Sequence, residues 1–249
     1  MTDNQRNLLW EIAQCPNVVS CFQAGNETHP CYPIVMSQEY GALNKIQVPE
    51  PWNGDLEKSP LLYLSSNPSI SKTEVYPTWI YQEEEIMDFF INRFSRGKKI
   101  WVKDGKYGLK KNGSYTRATP YWSEMIKRSE ELHGRNVEPG IDYVFTEIVH
   151  CKSKDMIGVK EALDECAGKF LNKILELSAA KVIAVIGEKP GKFIKDLLKV
   201  EKDTKIYGPK MLWGKERLVL FLAAPNSNKL RRIEKVFVQD EIELINRYL

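Results

Sequence analysis

Histidine is scarce in this chain, with three in 249 residues and none after His150. No run approaches the roughly 18 apolar residues of a membrane span, so no membrane partner is expected. Charge of one sign is nearly absent as well. Lys plus Arg number 36 against 33 Asp plus Glu, and the net +3 compels no nucleic-acid partner while permitting a local basic face. The five cysteines are an odd number, which argues against a secreted disulfide framework and for thiols or metal ligands in a reducing compartment. The opening MTDNQRNLLWEIAQC reads as a polar start to an amphipathic helix and lacks the apolar core of a signal peptide. Internal repeats, low-complexity tracts and Pro/Gly/Ser linkers are missing too, so a single domain over 1–249 is expected. What is present is apolar material, 43% of residues, enough for a sizeable core, which excludes a disordered chain or a fibre. The expectation is a cytoplasmic protein with no obligate protein partner evident.

Four short apolar runs read as strands buried on both faces: Leu61 to Ser65, Tyr143 to His150, Val182 to Gly187 and Leu218 to Ala224. Helical periodicity follows at Val159 to Leu177, at Lys192 to Val200 and from about Lys229 to Tyr248. Strands alternating with helices predict an α/β fold, a three-layer α/β/α sandwich on a mainly parallel four-stranded sheet. A long insert after the first run adds helices near Glu83 to Phe94 and Pro120 to His133, joined by a charged loop. That loop carries Arg93, Arg96, Lys98, Lys99, Lys103, Lys106, Lys110 and Lys111 against Asp104 alone, with Trp101 and Tyr107 between them. The first 59 residues, with three cysteines and the Pro-rich VPEPWNG, read as an extension packed on the sheet.

Ligands of open α/β sheets bind outside the carboxyl ends of the strands, so the residues after each run are the first candidates. The first run ends in Ser65-Ser66-Asn67-Pro68-Ser69, where Pro68 fixes its own φ and keeps Asn67 out of the helical region. The second ends in Thr146-Glu147-Ile148-Val149-His150-Cys151, the third in Gly187, and the fourth in Pro225-Asn226-Ser227-Asn228-Lys229-Leu230-Arg231-Arg232. In order and placement these segments resemble the motifs of the uracil-DNA glycosylase superfamily. The Ser65 to Ser69 turn is similar to the G-I-N-P-G motif of the mismatch-specific branch, and Thr146 to Cys151 to a strand of the iron–sulfur branch. Pro225 to Arg232 stands where that family carries its DNA-intercalating motif. The resemblance covers residues 60 to 249.

It implies an enzyme that flips a nucleotide out of DNA and hydrolyses its N-glycosidic bond. Asn67 takes the water-positioning place, Ser65, Ser66, Pro68 and Ser69 contact the base, and Tyr76 and Tyr121 (with Tyr115) are candidates for stacking. Asn226, Ser227, Asn228, Lys229, Arg231 and Arg232, with Lys98 and Lys99 of the basic loop, are the candidate DNA contacts. Three departures sharpen the expectation. Glu147 replaces the Asn with which the family reads uracil. An ionised carboxylate accepts from the N4 amino group of cytosine, and a protonated one also donates toward O2 or N3, which makes cytosine a better leaving group. Ser69 replaces a Tyr that blocks 5-substituted pyrimidines, leaving room at C5. The family's leaving-group His would align near Ala224, where this chain has none. The pocket logic points to a 5-modified cytosine, such as glucosylated hydroxymethylcytosine of phage DNA, and so to antiviral defence. Uracil or mismatch excision, or a non-catalytic DNA-binding module, are the alternatives.

Fourteen residues separate Cys151 from Cys166, similar to the last two cluster ligands of the iron–sulfur branch. The resemblance implies a [4Fe–4S] cluster on Cys15, Cys31, Cys151 and Cys166, with Cys21 competing for a place. Five buried free thiols are the other reading.

Overall fold

Among the described residues eight strands form in chain order: β1 (Trp52–Asn53), β2 (Leu61–Ser65), β3 (Val102–Lys103), β4 (Tyr107–Gly108), β5 (Tyr143–Glu147), β6 (Val182–Ile186), β7 (Ile206–Leu212) and β8 (Lys215–Leu222). The structure is a computed structural model describing residues 1–39, 41–94, 100–225, 227 and 232–249. Six of the strands make one sheet, ordered β1-β5-β2-β6-β8-β7. Its centre, β5-β2-β6-β8, is the parallel set expected from the four apolar runs. The four-stranded expectation is corrected at both edges, where β1 and β7 pair antiparallel. Neither edge strand has an apolar signature. β1 is two residues long and sits inside VPEPWNG, while β7 is largely solvent-facing and broken in register at Gly208-Pro209, as an edge strand tolerates.

Side-chain alternation divides each central strand between two cores. One face carries Leu62, Leu64, Val144, Ile183, Val185 and Val219. It is covered by helices Asp3–Ala13, Glu83–Ile91 and Glu188–Leu198, and by the helical stretch from Val159 to Leu177, which contains a π-helical turn at Ala167–Leu171. The other face carries Leu61, Tyr63, Tyr143, Phe145, Ala184 and Leu220 against helix Pro120–His133 and the C-terminal helices. Pro120 opens its helix at the first turn and Gly134, at φ +64°, closes it in the left-handed region. The single helix expected up to Tyr248 is two, Ile233–Val236 and Gln239–Asn246. Phe237 buries its ring in the second core from an extended backbone, and Val238 restarts the helix by donating its amide to Glu241. Lys229 to Arg231 lie outside the described residues.

The N-terminal segment reaches the sheet through Gly54. Its φ is +110° and a Cβ there would stand 2.5 Å from Gly140 Cα, so the chain passes the loop before β5 at a distance only glycine allows. Among the described residues no helix is long and apolar enough to cross a membrane.

Candidate active site

From β2 the chain steps to β5 on one side, then returns across β2 to β6 on the other. The helix leading into β5 covers one face and the helix leaving β5 covers the opposite one. The crevice at the carboxyl ends of β2 and β5 is therefore the topological switch point of this sheet. Ser65 and Glu147 are register partners at its lip. Pairing continues past the strands: Ile148 N donates to Ser65 O at 3.0 Å, Val149 N to Ser66 O at 2.9 Å and Ser153 N to Pro68 O at 3.1 Å. The turn at Asn67-Pro68 and the segment after Glu147 are thus held side by side by backbone alone.

Ser65 Oγ lies 2.6 Å from the Tyr121 hydroxyl, and the Tyr121 ring packs against Phe145. Asn67 donates its Nδ2 to Pro68 O at 3.2 Å, which leaves Oδ1 buried without a partner. Glu147 is buried with Oε2 also unpartnered. Its carboxyl is held well above the usual range by burial and by the neighbouring Glu50, against the opposing pull of Lys152. Burial of this kind favours the neutral carboxyl, a form able both to accept and to donate. Ser69 is exposed at the rim and Ser66 lines a cavity of about 340 Å³ with Ile148, Val159 and Phe193.

Behind Glu147 stands a buried polar cluster that sequence reading missed. Arg93 Nη1 donates to Glu50 Oε2 at 3.1 Å and to Asn53 Oδ1 at 2.9 Å, and Nη2 donates to Glu74 Oε1 at 3.1 Å. Asn53 Nδ2 and the Tyr76 hydroxyl both donate to Glu50, at 2.6 and 3.1 Å. The Lys152 amine sits 3.8 Å from Glu50 Oε2 and 3.7 Å above the Tyr76 ring. Burial pushes that amine down to about 8, while burial of Glu50 is outweighed by Arg93 and Lys152, which keep its carboxylate ionised. His150 fixes the Glu50 backbone, donating from Nδ1 to Glu50 O at 2.8 Å; burial pushes its own pKa down to about 4. The one signal in the sequence was Glu50 itself, a carboxylate locked between Pro49 and Pro51.

Several expected residues stand elsewhere. Tyr76 is buried, its hydroxyl on Glu50 and its face under Lys152, so it belongs to the polar cluster and has no free face to stack on a base. Tyr115 donates to Ile100 O in the insert. Arg93, counted in the basic loop, points inward, and residues 102–108 of that loop form the β3–β4 hairpin with Trp101 buried beside it. Lys98, Lys99, Asn226, Asn228, Lys229 and Arg231 lie outside the described residues. Ser227 donates its amide to Ala224 O, and Arg232 is ion-paired with Glu131. A larger groove of about 1230 Å³ opens past Gly187, but its lysines 192, 195, 202 and 205 are interleaved with Glu188, Asp196 and Asp203, so it has no single-sign field.

All five cysteines are buried and free. The Cys151 thiol is pushed up by burial and then by Cys166, Cys15, Cys31 and Cys21, so the other four all lie within its electrostatic reach. His150 N donates to Cys166 Sγ at 3.3 Å and Asn17 Nδ2 to Cys31 Sγ at 3.9 Å. In number and kind these donors are those of a thiolate-held cluster, but they are not arranged as one. As folded they are protonated thiols, and among the described residues no group of three or more His, Cys, Asp or Glu is set out to hold a metal ion.

No protein-family model matches the chain, and no curated protein is similar to it.

Proposed function

We propose that this protein is a DNA glycosylase that flips out a pyrimidine, hydrolyses its N-glycosidic bond and leaves an abasic site. The substrate is a 5-modified cytosine of the kind found in phage DNA, such as glucosylated hydroxymethylcytosine, which makes the enzyme a defence against phage. The observation that carries this reading is the pair of buried, unpartnered acceptors, Asn67 Oδ1 and Glu147 Oε2, at the ends of adjacent parallel strands. Buried polar atoms without partners call for an explanation, and a bound base and water would supply one for two that stand at neighbouring strand ends. A neutral Glu147 offers its carbonyl oxygen to the cytosine N4 amino group and its hydroxyl to N3, a two-point match for one base edge. As C1′–N1 breaks, the bonding pair moves into the base and N3 takes the Glu147 proton. Water held on Asn67 Oδ1 then bonds to C1′, and the proton it sheds passes through solvent to the Glu147 carboxylate, restoring the acid as the neutral base departs. The exposed Ser69 gives a bulky 5-substituent a route to solvent.

The test is base release from a panel of duplex and single-stranded DNAs bearing uracil, cytosine, hydroxymethylcytosine and its glucosylated form. Abasic sites are expected only in the last two, and Asn67→Ala should slow their formation about 10²-fold or more while DNA binding is kept. Release confined to uracil DNA would transfer the reading to uracil or mismatch excision. Binding without release from any substrate would make the protein a non-catalytic module.

The same reading assigns a [4Fe–4S] cluster to Cys15, Cys31, Cys151 and Cys166, with Cys21 the competing donor. When bound it would supply a covalent tie between the N-terminal helices and the segment after β5, at the cost of deprotonating four thiols. Anaerobically prepared protein is expected to be brown and to contain about four irons per chain. Colourless, iron-free protein would return the five thiols to the core.

A further inference from the structure

Breaking a glycosidic bond places negative charge on the departing base, and a fixed positive group near that charge is worth most where water is excluded. Imidazole is not available for this near β8, because no histidine follows His150. The structure puts a different cation there. Arg128, on helix Pro120–His133, has a side chain 1% exposed and donates from Nη1 to Ala223 O at 2.7 Å, at the carboxyl end of β8. Its Nε lies 3.5 Å from Glu124, and Nη2 is buried with no partner.

A guanidinium desolvated to this degree and given one carbonyl and one loosely placed carboxylate is costly to keep. A merely structural tie to Ala223 needs a single N–H. The remaining donors are at the sheet end that carries the crevice, and the Tyr121 hydroxyl, bonded to Ser65, feels both Arg128 and Glu147. Three strand intervals of about 4.8 Å separate β5 from β8, roughly 14 Å between backbones. Glu147 at the end of β5 and Arg128, tied to the end of β8, thus stand on either side of the tips of β2 and β6.

We infer that Arg128 is a catalytic residue of the proposed glycosylase, donating to the O2 carbonyl of the flipped pyrimidine and stabilising the negative charge that gathers there as C1′–N1 breaks. Glu147 holds the N3/N4 edge and Arg128 the O2 edge, so the base is clamped at both ends of its polar side.

The inference rests on the glycosylase reading, and the experiment separates the two. Single-turnover release is measured for wild type, Arg128→Gln and Arg128→Lys on DNAs whose 5-substituted cytosines are graded in leaving-group acidity. Arg128→Gln is expected to be slower by about 10²- to 10³-fold on the least acidic base, and the deficit should shrink as acidity rises, with DNA affinity unchanged. Arg128→Lys, which keeps the charge, should fall between and serves as the test should the Gln variant fail to fold. A deficit uniform across the series would mean that Arg128 only braces the helix. Weaker binding with a salt slope reduced by about one would mean that it holds a phosphate. Either result overturns the inference and leaves the glycosylase reading intact. Absence of release by the wild type from every DNA overturns the glycosylase reading itself.

Discussion

Glu147→Gln is expected to slow base release about 10²- to 10⁴-fold while leaving recognition of modified-cytosine DNA largely in place. The carboxamide reproduces the hydrogen-bonding pattern of a protonated carboxyl, one acceptor and one donor, but has no proton to transfer. The pH profiles should separate the two roles. Burial and Glu50 hold the Glu147 carboxyl well above its usual range. The protonated form is the competent one, so wild-type release is full at low pH and falls as pH rises through that raised value. The Gln variant should be flat over the same window. Glu50→Gln removes a negative neighbour, lowers the Glu147 pKa and moves the falling limb to lower pH. Stability follows the same sign. The contribution of Glu147 is fully present below the unfolded glutamate value and is lost as pH rises through the folded one, so Glu147→Gln should gain stability over wild type on the alkaline side. A Glu147→Gln rate near wild type, or a profile unmoved by Glu50→Gln, would remove the acid from the mechanism.

Arg93→Ala is expected to cost about 3–5 kcal/mol of folding stability, the largest effect of any single truncation at the site. It strips the counter-charge from Glu50 and Glu74 and leaves Asn53 Oδ1 without its donor, all in a region closed to water. Arg93→Lys should recover little, because one ammonium cannot span three acceptors on two separate segments. Pairing Arg93→Met with Glu50→Gln should recover only part of the loss, since the Glu50 charge goes with its partner while Glu74 and Lys152 each lose one. Urea denaturation of the four proteins measures this. A cost under about 1 kcal/mol for Arg93→Ala would mean that water reaches the cluster.

The parallel centre of the sheet was legible because its strands are buried on both faces and read as continuous apolar runs. The edges were not. In β1 the only signal is two residues between prolines and a glycine, and in β7 exposure on the outer side erases alternation. Of the site, the Ser65 to Ser69 turn and Glu147 were legible because strand ends announce themselves by a change from apolar to polar. Glu50, Asn53 and Lys152 were not, since they come together only by tertiary pairing. Arg93 was misplaced for a related reason: a count of basic residues treats each one as solvated, whereas Arg93 has acidic partners 43 and 19 residues away.

The antiparallel pairing of β1 with β5 has a kinetic consequence. Glu50 and His150 meet across 100 residues of chain, and the carboxyl of Glu147 acquires its neighbours only when that loop closes. Contacts of such long sequence separation form late, after the local helices and the nearer strand pairs. A folding chain of this protein thus carries its local helices and the β6–β8 pair first, while the β2–β6 pairing at the sheet centre and the surroundings of Glu147 both wait for long loops to close, so the proposed acid is assembled only as the fold completes.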